Sequence, residues 1–249
     1  MKRFLKILLI ISGSLLLVIL ISYLIFNESL PSGQSGAEAD ALAQKMMTAI
    51  NHQYWDSTGA VTWTSRSGFE HLWDRDRHFA RVKWEDIEVL LNINRRDGIA
   101  RQNGEVAPPE AAEAMIEKAW KMWVNDSFWL NPISKSFDPG TTREIIPSEG
   151  PHDQLLITFS SGGATPGDAY LWIIDDTGLP VAWKMWVAIL PIGGLEITWE
   201  NWVTLPTGVK ISSMHRLGSL EITVSDIRGA SSLAELVPGE DIFRELGGN

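Results

Sequence analysis

The amino-acid sequence predicts an α+β protein in which an N-terminal transmembrane helix precedes a large curved antiparallel sheet. We expect this sheet to be an unclosed half-barrel of about ten strands, capped by helices. Three observations predict this fold. Residues 4–26 are almost continuously apolar. Beyond them, short segments that alternate apolar and polar residues are separated by turn-forming residues, as in antiparallel strands. Two stretches with apolar residues at helical spacing interrupt these strands.

The apolar segment predicts a membrane anchor over residues 1–26. Its uninterrupted core has the roughly 20 residues that cross a bilayer as a helix. Positive charges precede it, and the next charged residue, Glu28, is acidic. By the positive-inside rule the N-terminus lies in the cytoplasm and the rest in the periplasm or outside the cell. The chain is then a single-pass protein of the bacterial inner membrane.

A cleaved secretory signal is the alternative interpretation of the same segment. The apolar stretch of such signals is usually about 7–15 residues long, and a cleavage site with small residues follows it closely. Here the stretch is longer, and the nearest pattern of small residues, Ser35–Ala37, lies well beyond its end. We therefore expect the helix to be retained as an anchor.

Composition limits the function classes that suit the remainder of the chain. The formal net charge is −10, which argues against nucleic acid as a partner. No cysteine is present, so an exported domain cannot be held by disulfides. We expect a short polar linker over residues 27–36, which contains Pro31 and Gly33, and a single domain over residues 37–249.

Hydrophobic periodicity predicts helices at residues 37–53 and 108–123. In the second helix, Pro108 suits the start, and the pair Asn131-Pro132 ends the apolar surface that follows. The expected strands lie at residues 61–63, 69–84 (a hairpin), 87–94, 98–101, 142–146, 155–160, 169–174, 179–187, 195–204, 209–214 and 220–225.

Alternation also assigns side chains to the two faces of each hairpin. The first hairpin is predicted to turn at Arg75-Asp76, with Trp73 opposite His78, because a slip of one residue would mix apolar and polar faces. The residues that then share one face are Phe69, His71, Trp73, His78, Ala80, Val82 and Trp84. The second hairpin turns at residues 175–178, where Gly178 supplies the positive φ that the turn requires.

The order of elements and the text of the hairpins resemble a known superfamily. The segments that carry the resemblance are GFEHLWDRDRHFARVKW (residues 68–84), DDTGLPVAWKMW (175–186) and TWENWVTLPTGVKI (198–211). They are similar to relatives of the bacterial lipoprotein carriers LolA and LolB, whose unclosed β-barrel is capped by helices over an apolar cavity. The resemblance covers residues 37–229 and implies that fold and an apolar ligand. It transfers no functional residue, and a retained anchor departs from the soluble carriers.

Twelve tryptophans in 249 residues indicate a thick core or a large apolar surface. One interpretation is an ordinary core. The other is an apolar cavity that binds acyl chains. The residues predicted to line such a cavity are Trp63, Trp84, Trp172, Trp183 and Trp199 on strands and Trp120 and Trp123 on the second helix.

The segment HLWDRDRH, His71–His78, is the cluster that most resembles a metal site in its residue types. Asp74 falls on the face opposite His71 and Asp76 falls in the turn, so the ligands cannot converge. We expect a polar hairpin tip with Asp–Arg pairs. The adjacent carboxylates Glu85-Asp86 and Asp175-Asp176 point to opposite sides of the chain and cannot act together as an acid/base pair. The sequence contains neither a nucleophile elbow nor a phosphate loop. We therefore predict no enzymatic activity, no metal and no cofactor.

These observations lead to two hypotheses about function. The first is a membrane-anchored, extracytoplasmic, non-enzymatic module that binds a lipid or a lipidated protein in an apolar cavity. The alternative is a structural or protein-interaction subunit of an envelope complex, with a solid core. The two differ in whether the tryptophan-bearing side of the sheet is filled by side chains or empty.

Overall fold

A computed structural model describes residues 2–161 and 165–247. Over these residues the chain is rich in β-structure, with fifteen strands and five α-helices. The helices are α1 (Lys2–Phe26), α2 (Ala37–Ala49), α3 (Gln53–Asp56), α4 (Pro109–Leu130) and α5 (Leu233–Leu236). The strands are β1 (Ala60–Thr64), β2 (Glu70–Asp74), β3 (Phe79–Trp84), β4 (Ile87–Asn92), β5 (Asp97–Gln102), β6 (Glu105–Val106), β7 (Thr141–Ile145), β8 (Asp153–Phe159), β9 (Ala169–Ile174), β10 (Pro180–Trp186), β11 (Leu195–Thr198), β12 (Glu200–Thr204), β13 (Lys210–Leu217), β14 (Leu220–Thr223) and β15 (Ser225–Ala230).

The strands form three antiparallel sheets. The seven-stranded sheet has the order β15-β1-β2-β3-β4-β5-β6, and the five-stranded sheet has the order β11-β10-β9-β8-β7. A three-stranded sheet, β12-β13-β14, follows the five-stranded sheet along the chain and precedes β15, the last strand of the seven-stranded sheet. Most neighbours in a sheet are also neighbours in sequence, as expected for a meander joined by short turns.

The prediction of an α+β fold with one continuous half-barrel sheet of about ten strands is wrong, because two strands change sheets at a single residue. Trp199 separates β11, which pairs with β10, from β12, which pairs with β13. Val224 separates β14, in the three-stranded sheet, from β15, in the seven-stranded sheet. Asn201 and Asp226, just beyond these bends, have positive φ. The alternation of apolar and polar residues holds up to Trp199 and Val224 and then slips by one residue at Asn201 and Asp226. A β-bulge within one sheet would produce the same slip, so the pattern does not reveal a change of sheet.

The N-terminal helix α1 ends at Phe26 and begins at Lys2, so that three cations lie within its 25 residues. In the part of the chain that the structure describes, no helix has the length and apolar character needed to cross a membrane. On this finding the predicted anchor over residues 1–26 is wrong. The single-pass inner-membrane placement and the membrane as a partner are wrong with it. Met1 lies outside the described residues.

Two helices cover the sheets. Helix α4 begins at Pro109 and ends at Leu130, so it includes the apolar surface that was expected to follow a helix ending at residue 123. It packs against β3, β4 and β5 of the seven-stranded sheet, and α2 packs against β7 and β8 of the five-stranded sheet. The apolar side chains by which α4 contacts its sheet include Ala112, Met115, Ile116, Ala119 and Trp120.

The first hairpin keeps its predicted faces although its register differs by two residues. The structure pairs Trp73 with Ala80 and His71 with Val82, whereas the sequence predicted Trp73 opposite His78. The loop is therefore four residues long rather than two. A shift of two residues preserves the alternation, so His71 and Trp73 still face the same side.

Candidate binding groove

The seven tryptophans that were predicted to line a cavity are distributed over three buried clusters. Trp172, Trp183 and Trp199 belong to the cluster between α2 and the five-stranded sheet. Trp84 and Trp120 lie in the cluster under α4. The remaining two are Trp63, in a third cluster beside β1, and Trp123, which contacts the second and third clusters.

The largest cluster is filled by side chains at its centre. The Trp183 ring lies 4.9 Å, centroid to centroid, from both Trp172 and Trp199 and 5.0 Å from Trp129. Trp183 is 0% exposed and Trp172 is 2% exposed. A side chain that bordered a space large enough for water would retain accessible surface. The packing therefore favours the core interpretation at these positions.

The histidine and aspartates of the HLWDRDRH segment do not come together. Nε2 of His71 lies 2.8 Å from Oδ2 of Asp126 on α4, and Trp63 stacks on the His71 ring at 4.6 Å. Asp74 instead accepts a hydrogen bond of 2.6 Å from Nε of Arg77, as the Asp–Arg expectation stated. His78 is exposed in the loop. Within residues 2–161 and 165–247, no group of three or more potential ligands is placed to hold a metal ion.

Breaking the His71–Asp126 pair tests its contribution to stability. We expect Asp126→Ala to lower the free energy of unfolding by about 1–3 kcal/mol, because it leaves a buried imidazole without its partner. Urea denaturation of wild type and variant measures the difference. The matched control is Glu117→Ala, which removes an exposed carboxylate from the same helix and should change stability by less than about 0.5 kcal/mol. Equal losses in the two variants would contradict a specific role for the pair.

The sequence did not predict the contacts of Arg75, a half-buried cation in the first hairpin loop. Arg75 was expected in an exposed turn, but its guanidinium lies 4.2 Å from the centroid of the Trp55 ring. It donates hydrogen bonds to the carbonyl oxygens of Trp55 and, at 2.5 Å, Thr58. Burial lowers the pKa of Arg75. The side chain thus joins α3 to the hairpin, and no local pattern distinguishes it from a solvated turn residue.

An open groove lies between α2 and the loop that joins β7 to β8. Its volume is about 540 Å³, within the range of roughly 300–1,000 Å³ that is typical of ligand sites. A second cavity, beneath residues 233–242, has about 120 Å³ and is too small by the same measure. The residues that line the groove are Glu38, Ala41, Leu42, Lys45, Ile145, Ile146, Pro147, Ser148, Gly150, Pro151, His152, Asp153 and Gln154.

One face of α2 forms the first wall of the groove, since Glu38, Ala41, Leu42 and Lys45 recur at helical spacing. Nζ of Lys45 lies 3.3 Å from Oδ2 of Asp153 on the opposite wall. This exposed ion pair joins the two walls and contributes little to stability.

The second wall contains His152, a half-buried histidine. Nδ1 of His152 is buried and has no hydrogen-bond partner among the described residues. A buried polar atom of this kind gains free energy from a ligand that supplies a partner. His152 was not predicted to be a site residue, because nothing in the run from Pro147 to His152 indicates how the loop folds over α2.

Comparison of the chain with protein-family models and with curated protein sequences found no match. The resemblance to the LolA and LolB carriers therefore stays a prediction.

Proposed function

We propose that the protein is a non-enzymatic interaction module that binds an extended segment of a partner protein in the groove between α2 and the β7–β8 loop. One observation carries this proposal. The tryptophan-rich core has almost no accessible surface, whereas the groove is open and has a volume of about 540 Å³. A module whose core is filled has to bind its partner on the surface.

The lining of the groove suits a protein segment better than an acyl chain. Its lining mixes apolar side chains such as Leu42 and Ile146 with charged ones such as Glu38 and Asp153. Protein–protein interfaces have this mixture, with about 56–58% non-polar area, whereas acyl chains need dry apolar pockets. Lipid binding in a tryptophan-lined cavity stays a prediction, and the packing of the tryptophans favours its alternative.

The edge of β7 beside the groove supports an extended partner. The Ile145 main chain donates a hydrogen bond of 2.8 Å to Gln34 and accepts one of 3.0 Å from it. This is how sheet edges recognise peptides. Because Gln34 of the chain itself occupies Ile145, a partner segment in the groove lies beside this bridge and does not replace it. The net charge of −10 and the exposed Glu38 at the rim favour a segment with basic residues.

Blocking the groove tests the proposal. Random twelve-residue peptides displayed on phage are selected against the full chain, and the enriched peptides are synthesised. We expect these peptides to contain basic and apolar residues and to lose at least tenfold in affinity for Ala41→Trp, because the exposed Ala41 lines the groove and an indole there fills it. Isothermal titration calorimetry measures the affinities.

The matched control is Gln44→Trp, which adds the same indole to an exposed position of α2 outside the groove lining. It should leave the affinities unchanged. Selection that enriches no peptide, or peptides that bind Ala41→Trp as tightly as wild type, would count against the groove as the binding site.

A further inference from the structure

The segment from Asn27 to Gln34, here called the strap, lies against the five-stranded sheet on the face opposite Trp172 and Trp183. Its two ends make specific contacts at β10 and β7. Between them, Leu30 is 49% exposed. The strap was expected to be part of a polar linker, whereas the structure holds both of its ends against the sheet.

The first end of the strap is held by Glu28. Its carboxylate accepts hydrogen bonds of 2.7 and 2.8 Å from Nζ of Lys184. Its main-chain carbonyl accepts one of 2.8 Å from Nε1 of Trp186, and its N–H donates to the carbonyl of Gly193 at 3.0 Å. This end therefore binds both as an anion and through its backbone.

The second end is held at the edge strand β7. The N–H of Gly33 donates a hydrogen bond of 2.8 Å to Oε2 of Glu144. Gln34 then forms the antiparallel bridge with Ile145. A side chain at Gly33 would collide with the carbonyl oxygen of Ile145, so only glycine permits this approach.

The two anchoring side chains belong to one straight row across four strands. The register pairs Lys184 with Leu171, Leu171 with Leu156, and Leu156 with Glu144. Directly opposed residues of antiparallel strands point to the same face. The row, here called the track, therefore has a cation at one end, a carboxylate at the other and two leucines as its floor. Leu171 and Leu156 are 5% and 2% exposed.

The strap fits the length of the track with little slack. Three strand spacings separate β10 from β7, which is about 14 Å. The five steps from Glu28 to Gly33 reach at most about 17 Å when fully extended. The span of the strap is the same on either copy, but only Ser35 and Gly36 join the strap to α2. So short a hinge favours exchange of the segment between two copies.

We propose that the track is a peptide-binding site for residues 27–34 and that the strap of a second copy occupies it when two copies exchange straps. The chemistry required of the occupant is an extended backbone with a carboxylate near its first end and a glycine near its second. The strap satisfies all three conditions. The track meets the groove at Ile145, which lines the groove and pairs with Gln34 of the strap, but the proposal for the track does not depend on the function proposed for the groove.

The test uses the full chain in a mild detergent, because α1 exposes apolar side chains such as Leu24. Glu28→Lys combined with Gly33→Val displaces the strap by repulsion from Lys184 and collision with Ile145, while the track itself stays intact. We expect a fluorescent peptide of residues 27–36 to bind this double variant at least tenfold more tightly than wild type. A peptide that itself carries Glu28→Lys should not bind.

The control is Ser29→Lys combined with Ser32→Val, which adds the same side chains at two exposed strap positions. This control variant should bind the fluorescent peptide no more tightly than wild type does. Hydrogen exchange at the Ile145 amide shows separately whether the strap has left, and exchange that does not rise in the displaced variant would overturn the assignment of the track. Increased exchange without peptide binding would overturn it too.

Sedimentation of wild type in detergent tests the second copy. A dimer fraction that grows with concentration and is lost in the displaced variant supports strap exchange. A wild-type chain that stays monomeric at every concentration, or a dimer that the displaced variant retains, overturns it.

Discussion

Trp183→Ala is expected to lower the free energy of unfolding by about 3–5 kcal/mol, which is the cost of truncating a fully buried aromatic side chain in a packed core. Trp183 is 0% exposed and lies within 6.2 Å, centroid to centroid, of Phe128 as well as the tryptophans of its cluster. Removal of the indole leaves a space that these rings cannot fill completely. Urea denaturation followed by far-ultraviolet circular dichroism measures the loss without depending on tryptophan fluorescence.

The matched control is Trp202→Ala, at the half-buried margin of the same cluster. We expect roughly half of the loss or less, because part of that ring already contacts water. If Trp183 bordered an empty cavity, one side of its ring would lack partner atoms and truncation would cost much less. A loss no larger for Trp183→Ala than for Trp202→Ala would therefore contradict a filled core.

Acidification from pH 7 to pH 4 is expected to remove about 3 kcal/mol of stability through His215. Burial lowers the pKa of His215 from its ordinary value of 6.5 to about 4. Nδ1 lies 3.1 Å from the carbonyl oxygen of Thr198, and the imidazole meets the Trp199 ring at 4.4 Å. The unfolded chain binds the proton first, so the contribution is fully present above pH 6.5 and is lost as the pH falls toward 4.

His215→Phe keeps a ring at this position and removes the titration. The difference in unfolding free energy between pH 7 and pH 4, from urea denaturation at each pH, should shrink by about 3 kcal/mol in this variant. Burial also lowers the pKa of His52, so some dependence on pH remains. His52→Gln serves as the matched control and should leave most of the difference in unfolding free energy between pH 7 and pH 4. A pH dependence that is unchanged in His215→Phe would contradict the role of His215.

Local structure could be predicted from the sequence because it depends on nearby residues. The alternation of apolar and polar residues placed His71 and Trp73 on one face of a hairpin, and the structure confirms that face. Pro108 likewise marked the start of α4, which begins at Pro109, although the helix continues to Leu130 and not to residue 123. Both signals act within a few residues, where backbone geometry and burial agree.

The arrangement of the sheets could not be predicted in the same way. The alternation slips by one residue just after the bends at Trp199 and Val224, but a β-bulge within one sheet gives the same slip, so a single curved sheet and three sheets share one pattern. The contacts of the strap with the sheet could not be predicted for a related reason. Its polar residues are typical of a linker, and only the register that aligns Lys184 with Glu144 creates a surface for it.

The groove could not be predicted from the sequence either. Its first wall follows from the helical spacing of Ala41 and Lys45, but the second depends on how residues 147–152 fold over α2. Tryptophan content, by contrast, was a strong signal with two interpretations. Composition shows that indoles are buried together, and only their contacts show whether a space remains between them.

Photo-crosslinking with a diazirine derivative of palmitic acid tests a filled aromatic core most directly. The full chain is irradiated with the probe, and the labelled residues are identified by mass spectrometry. A filled core predicts no label on Trp172, Trp183 or Trp199, whatever is labelled on exposed surfaces. Label on any of these three residues that unlabelled palmitic acid competes away would contradict the filled core and favour an acyl-binding cavity.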